Sequence, residues 1–310
     1  MGVITGQYTD ASNVQHGFLR APDGNITTFD PPGSVSTEPT SINPAGAITG
    51  YYRDASRGWL DFLRDRDGTF TIFDPNQYSP FTAALSINPA GAIAGVWWDY
   101  SVDMLHGFLR ASDGNITSFN TPEFWVVYSF AGAMSINPAG VITGGYEVFD
   151  MNLHQVFGHG FVRAPTSGVV DTDWYDGTIT TFDPPGSIYT VPWSINPAGA
   201  ITGQYVTASY EGHGFLRAPD GTITTFDPPE SIYTFARAIN PGGTIVGGYR
   251  DAASYATHGF LRAANGTYTT FDPPGSTYNE PVAINPRGEV TGGYQDADGV
   301  SHGYVWRQQF

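Results

Sequence analysis

The chain has 310 residues, 40% of them hydrophobic and 15% aromatic, while the charged share of 14% falls well under that of ordinary globular chains, so there is material for a large core and no sign of a disordered composition. Thirteen basic residues, every one an arginine, face 29 acidic ones for a net charge of −16; such a surface repels nucleic acid and anionic lipid, and the absent lysine removes Schiff-base and P-loop chemistry. There is no cysteine for a disulfide, a thiolate nucleophile or a thiolate metal site, and the longest strongly apolar run, 124–134, is shorter than the roughly 20 residues that cross a bilayer.

Taken in chain order, the first strand-like element is a glycine-bounded aliphatic segment ending at Tyr8; it returns with its aromatic at Tyr52, Trp97, Tyr146, Tyr205, Tyr249 and Tyr294. His16-Gly17-Phe18-Leu19-Arg20 follows and recurs in every unit, although the second copy reads Leu60-Asp61-Phe62-Leu63-Arg64. Next come Thr27-Thr28-Phe29-Asp30-Pro31-Pro32 and then Ser41-Ile42-Asn43-Pro44-Ala45-Gly46, whose asparagine reappears at 88, 137, 196, 240 and 285. Each element is short, rich in Ile, Thr, Phe, Tyr and Val, and bounded by turn residues, as strands are. Asn-Pro-Ala-Gly and Asp-Gly or Asn-Gly pairs supply the hairpin turns. Four antiparallel strands in a period near 45 residues predict an all-β fold, a single β-propeller over 1–310. The first unit lacks its opening strand and the last its closing one, so seven blades are favoured and six, with the ends sharing a blade, is the alternative.

The pattern Ser-Ile-Asn-Pro-Ala-Gly-Ala-Ile-Thr-Gly-x-Tyr, then His-Gly-Phe-Leu-Arg-Ala-x-Asp-Gly, then Ile-Thr-Thr-Phe-Asp-Pro-Pro-Gly resembles bacterial HAF-type predicted extracellular repeats over almost the whole chain. That resemblance implies an exported or cell-surface propeller and no particular activity. The chain opens directly in repeat sequence, so any export signal is expected to have been removed already. The Gly-x-Ile-Thr-x-Phe segments are similar, more weakly, to virginiamycin B lyase-type propellers, without a transferable catalytic motif.

A residue present in every unit serves the blade, and one unique to a unit need not. The seven arginines that close the third strands are expected to pair with repeated carboxylates such as Asp30 or Asp183, or else to form an anion-binding ring. Six histidines at one repeat position read as structural, leaving His154, in the insert 147–157, as the one to test as acid, base or ligand. In a meander the loops after the second and fourth strands share a face, and their variability makes it the expected binding face. There the third unit carries Trp97, Trp98, Asp99 and Tyr100, then Glu123, Phe124 and Trp125, and the fourth adds Glu147, Asp150 and His154. Indoles beside carboxylates suit a carbohydrate or a similar polar ring-bearing ligand.

Catalytic candidates are Glu123, Asp150 and His154, or Glu38 and Glu280, which are expected to precede the first strand at equivalent points of the second and seventh units and could act as acid and base of a glycan-cleaving hydrolase or lyase. Asp171, Asp173 and Asp176 in the insert 165–175 and the turn after it could hold Ca²⁺, though their spacing misses the calcium-loop pattern. No motif requires a cofactor. A third reading is an acidic scaffold that docks a basic protein partner.

Overall fold

In a computed structural model, residues 2–77, 79–121, 135–150, 153–165 and 179–308 are described. Among them 26 strands occur and no helix. Each repeat is an antiparallel meander in chain order: in the second, Ser34–Ile42 pairs with Ile48–Asp54, that with Gly58–Arg64, and that with Phe70–Phe73. The first repeat has three strands, Ile4–Thr9, Gln15–Arg20 and Ile26–Phe29, and so has the last, Ser276–Ile284, Val290–Asp296 and Ser301–Trp306. The elements missing from the sequence at each end are thus missing from the sheets.

Two compact units are present, one of 1–142, 146–156 and 162–180, the other of 143–145, 157–161 and 181–310, so the fourth repeat contributes to both. In the second unit successive sheets meet at single parallel pairs, Gly212 with Tyr233 and Thr257 with Tyr278. The first strands carry a β-bulge at one repeat position, where Thr40, Trp193, Arg237 and Val282 are each skipped by the ladder.

The core repeats with the sequence. Phe62, Phe108, Phe161, Phe215 and Phe260 from third strands and Ile48, Ile93, Ile142, Ile201 and Ile245 from second strands are all fully buried, each contributing about 1.5–3 kcal/mol. The glycine before Phe108, Phe161 and Phe215 gives room for the fourth-strand ring: a Cβ on Gly107 would come 2.3 Å from Phe119.

Conserved polar positions within the repeat stitch neighbouring sheets together. The Asn43 amide oxygen accepts from the Ala45 and Ala47 amides of its own turn, while its Nδ2 donates to the Asn88 carbonyl 3.2 Å away. Asn88 does the same toward Asn137, and Asn196 and Asn240 toward Asn240 and Asn285. The serine of Ser-Ile-Asn adds a second link, Ser41 Oγ accepting from the Ile87 amide and Ser194 Oγ from the Ile239 amide. A third link joins the third-strand histidines His16, His159, His213 and His258 to the aspartate after the fourth strand and on to the next first strand, while His106 meets Asn120 there instead. His16 Nδ1 lies 2.7 Å from Asp30 Oδ2, and Thr37 donates to Asp30 Oδ1 at 2.6 Å; His213, Asp227 and Thr234 repeat the arrangement.

The expected pairing of arginines with the repeated aspartates is overturned by this relay, although Arg307 does meet a carboxylate, Glu289, at 2.8 Å. Asp30 and Asp183 are taken by His16 and His159. The arginine instead lies over the fourth-strand phenylalanine of the preceding repeat: Arg64 over Phe29 at 4.9 Å, Arg110 over Phe73 at 5.0 Å, Arg163 over Phe119 at 4.7 Å, Arg217 over Phe182 at 5.0 Å and Arg262 over Phe226 at 4.8 Å. A guanidinium on an aromatic face keeps its charge without a carboxylate. Burial shifts the Arg110 and Arg217 pKa values downward.

Candidate ligand-binding face

Antiparallel order puts the loops after second and fourth strands at one end of each sheet. Every repeat has one left-handed residue in the loop between second and third strands. Glycine takes it in two repeats, Gly58 at φ +87° and Gly299 at +76°, and Asn13 and Asp103 take it at 63° and 57°. Glycine, asparagine and aspartate tolerate this region best. Two repeats of the second unit depart: Tyr210 stands there at φ 63° and Tyr255 at 59°, with 76% and 67% of their surfaces exposed.

A second such position follows the fourth strand, where Pro-Pro-Gly-Ser forms a turn needing positive φ at its third residue. Gly33, Gly186 and Gly275 occupy it at φ 80–83°, but Glu230 does so at 66°. The Glu230 carbonyl accepts the Ala252 amide at 3.0 Å, which ties this turn to the loop that carries Tyr255. Two exposed tyrosines and an exposed glutamate therefore stand on the loops of the fifth and sixth repeats, at left-handed positions that other repeats fill with glycine, asparagine, aspartate or, in the fourth, His154. Among the described residues neither the Glu230 carboxylate nor the two hydroxyls take a hydrogen bond.

The residues singled out by sequence divide sharply. Trp97 is 4% exposed, stacks on His106 at 4.5 Å and donates its indole N–H to Ser118 Oγ at 2.9 Å. It fills the position held by Tyr205 against His213 and Tyr249 against His258, so it is part of the sheet and offers no exposed indole. Trp98 is half-buried, its amide donating to the Phe81 carbonyl. Asp99 caps its own turn through the Ser101 amide and hydroxyl, as Asp10, Asp54, Asp251 and Asp296 cap theirs. Burial works against its ionisation, but the Ser101 hydrogen bonds prevail and hold the carboxyl below its ordinary value. Tyr100 alone of this group is an open aromatic surface, 71% exposed.

His154 is exposed and takes φ 51°, the left-handed loop position of its repeat, so its apparent isolation in sequence reflects loop position. Glu147 is half-buried within the strand Ile142–Asp150. Glu123, Phe124, Trp125, Asp171, Asp173, Asp176 and the Asp150 side chain lie outside the described residues. Among those described, no three His, Asp or Glu side chains gather as a metal site.

Glu38 and Glu280 fall in different units, each engaged locally. Glu38 accepts the Tyr51 hydroxyl at 2.6 Å beneath a cluster of Tyr51, Trp59 and Phe81, and burial, then this carboxylate, raises the Tyr51 pKa. Glu280 accepts from Arg237 Nη2 at 2.5 Å and from the Tyr278 hydroxyl at 3.0 Å, while the Arg237 guanidinium covers Trp193 at 4.1 Å.

Among solved structures the chain is similar to the β-propeller domain of the Trilobed protease from Pyrococcus furiosus, at 9% identity over 99% of this chain and 92% of that one, with a TM-score of 0.69. It is also similar to a streptogramin B lyase, at 13% identity over 93% and 89% with a TM-score of 0.57. An acylaminoacyl peptidase from Pyrococcus horikoshii matches at 11% identity and TM-score 0.63, over 99% of this chain but 50% of that one. What is shared at these identities is the fold: the chain is a β-propeller of antiparallel sheets, and its likeness to virginiamycin B lyase-type propellers stands at that level. No protein-family model matches the chain, so the resemblance to HAF-type repeats has no family model behind it, and no curated protein matches either.

Proposed function

We propose that the protein binds a carbohydrate or a similar polar, ring-bearing ligand on the loop face of the fifth and sixth repeats, with Tyr210 and Tyr255 as stacking surfaces and Glu230 as hydrogen-bond acceptor. The observation that carries this reading is strain placed where the repeat elsewhere avoids it. A left-handed L-residue costs roughly 1–2 kcal/mol, and backbone strain persists where function repays it. Open phenol rings offer a flat apolar face to sugar C–H groups, and a free carboxylate accepts from hydroxyls.

The test is incubation of the purified chain with a panel of polysaccharides, with and without EDTA, following loss of protein from solution and the appearance of reducing or unsaturated ends. Retention without new ends is expected. New ends would replace simple binding by glycan cleavage, and neither signal would favour an acidic scaffold for a basic protein. Loss of retention with EDTA would support the calcium reading of Asp171, Asp173 and Asp176.

A further inference from the structure

The second repeat breaks the histidine relay in two adjacent places. Leu60 stands where the third strand elsewhere has its histidine, and Asp61 where it has glycine. Asp61 is fully buried and takes over the link to the next sheet, accepting from Thr82 Oγ1 at 2.5 Å and the Ala84 amide at 2.6 Å. Asp74, the counterpart of Asp30, is thereby left without its imidazole. Its Oδ1 accepts the Asn76 amide at 3.0 Å, and among the described residues its Oδ2 takes no hydrogen bond.

Beside Asp74 and the buried Leu60 lies a depression of about 370 Å³, lined also by Arg57, Ile72, Phe73 and Gln77. Its two polar ends differ in kind. In the intact relay an imidazole meets carboxylates at both nitrogens, as His16 does with Asp30 at 2.7 Å and Asp10 at 3.5 Å. In the second repeat the carboxylate matching Asp10, Asp54, is neutralised by Arg57, whose Nη2 lies 3.3 Å from Asp54 Oδ2 and 3.4 Å from the Tyr52 hydroxyl. One end therefore accepts a hydrogen bond and the other donates one.

We propose that this depression is a binding site for a small molecule carrying an unsubstituted neutral azole ring of the imidazole type, one ring N–H donating to Asp74 and the other nitrogen accepting from Arg57, with Leu60 and Phe73 against the ring. Imidazole itself is the probe. Titrated into the full chain and followed by calorimetry and by ¹H–¹⁵N spectra, it should bind saturably at one site. 1-Methylimidazole, which keeps the acceptor and loses the donor, should bind at least roughly tenfold more weakly, the effect of one lost hydrogen bond to a charged group. Leu60→His should abolish binding by restoring the ring covalently, and Asp74→Ala should weaken it to a similar extent as methylation. Absence of saturable binding would overturn the proposal, as would equal binding of the methylated probe. Unchanged binding by Asp74→Ala would do the same, and that variant decides the matter if Leu60→His does not fold.

Discussion

At the scale of single residues, the tyrosines at left-handed positions make the sharpest prediction, because stability and binding should move in opposite directions. Tyr255→Gly removes a strained backbone and loses a side chain that touches no core, so after the entropic cost of glycine it should stabilise the chain by up to about 1 kcal/mol while weakening ligand retention. Urea midpoints and polysaccharide depletion on the same sample read both. Acid titration offers a second check. Hydrogen bonds from the Ser56 hydroxyl and amide, then the Arg57 amide and side chain, hold the Asp54 carboxyl at about 2. Its stabilisation is present above the ordinary carboxylate value near ~4 and is lost as pH falls through about 2. The hydrogen bond with Asp30 raises the His16 pKa, so its contribution is full below the ordinary value near ~6.5 and is lost as pH rises through the raised one. Asp54→Asn should flatten the acid limb of the stability profile, and His16→Gln the descent on the alkaline side. The scaffold role of the histidines is legible in sequence because six copies share one position. That of Trp97 is equally legible, since the same repeat position holds Tyr205 and Tyr249, although an indole beside an aspartate also has the chemistry of a ligand contact.

At the scale of elements, the repeated turn Asn-Pro-Ala-Gly does more than reverse the chain. Asn88 caps its turn through the Ala90 and Ala92 amides and also reaches the carbonyl of Asn137. Asn285 caps its turn in the same way, but its Nδ2 goes to Glu289 within its own repeat, at 2.7 Å. Asn88→Ala should therefore cost about 2–4 kcal/mol, one hydrogen bond between sheets more than the cap alone, and Asn285→Ala about 1 kcal/mol less, as measured by denaturant unfolding. Strands and turns are readable from period-2 segments and glycine placement. The links between sheets are not, because hydrogen-bond partners some 45 residues apart leave no local pattern: Arg64, Arg110, Arg163, Arg217 and Arg262, for which the sequence suggests carboxylate partners, lie over phenylalanine rings. Loop tips are legible only in part. The sequence marks the third and fourth units as divergent and shows Glu230 in place of the repeated Pro-Pro-Gly glycine, whereas the left-handed placement of Tyr210 and Tyr255 becomes visible only with backbone angles.

For the whole molecule, the net charge of −16 sets the background against which binding must be judged. Stacking and short hydrogen bonds are little affected by salt, while capture of a basic partner by an acidic surface falls steeply as the screening length shrinks. Retention on a neutral glycan should therefore be the same at low salt and at roughly 0.5 M, where the screening length is only a few ångströms. The fold is recoverable from repeat spacing alone, because tandem copies of one antiparallel sheet leave little freedom in the path of the chain. Its use is not, since propellers with different active or binding sites share that path. The most direct measurement compares glycan retention by the wild-type chain and by a Tyr210→Gly, Glu230→Gly, Tyr255→Gly variant with matched unfolding curves. Loss of retention in a variant at least as stable as the parent is the predicted result; retention unchanged by all three glycines would contradict a ligand-binding face on the fifth and sixth repeats.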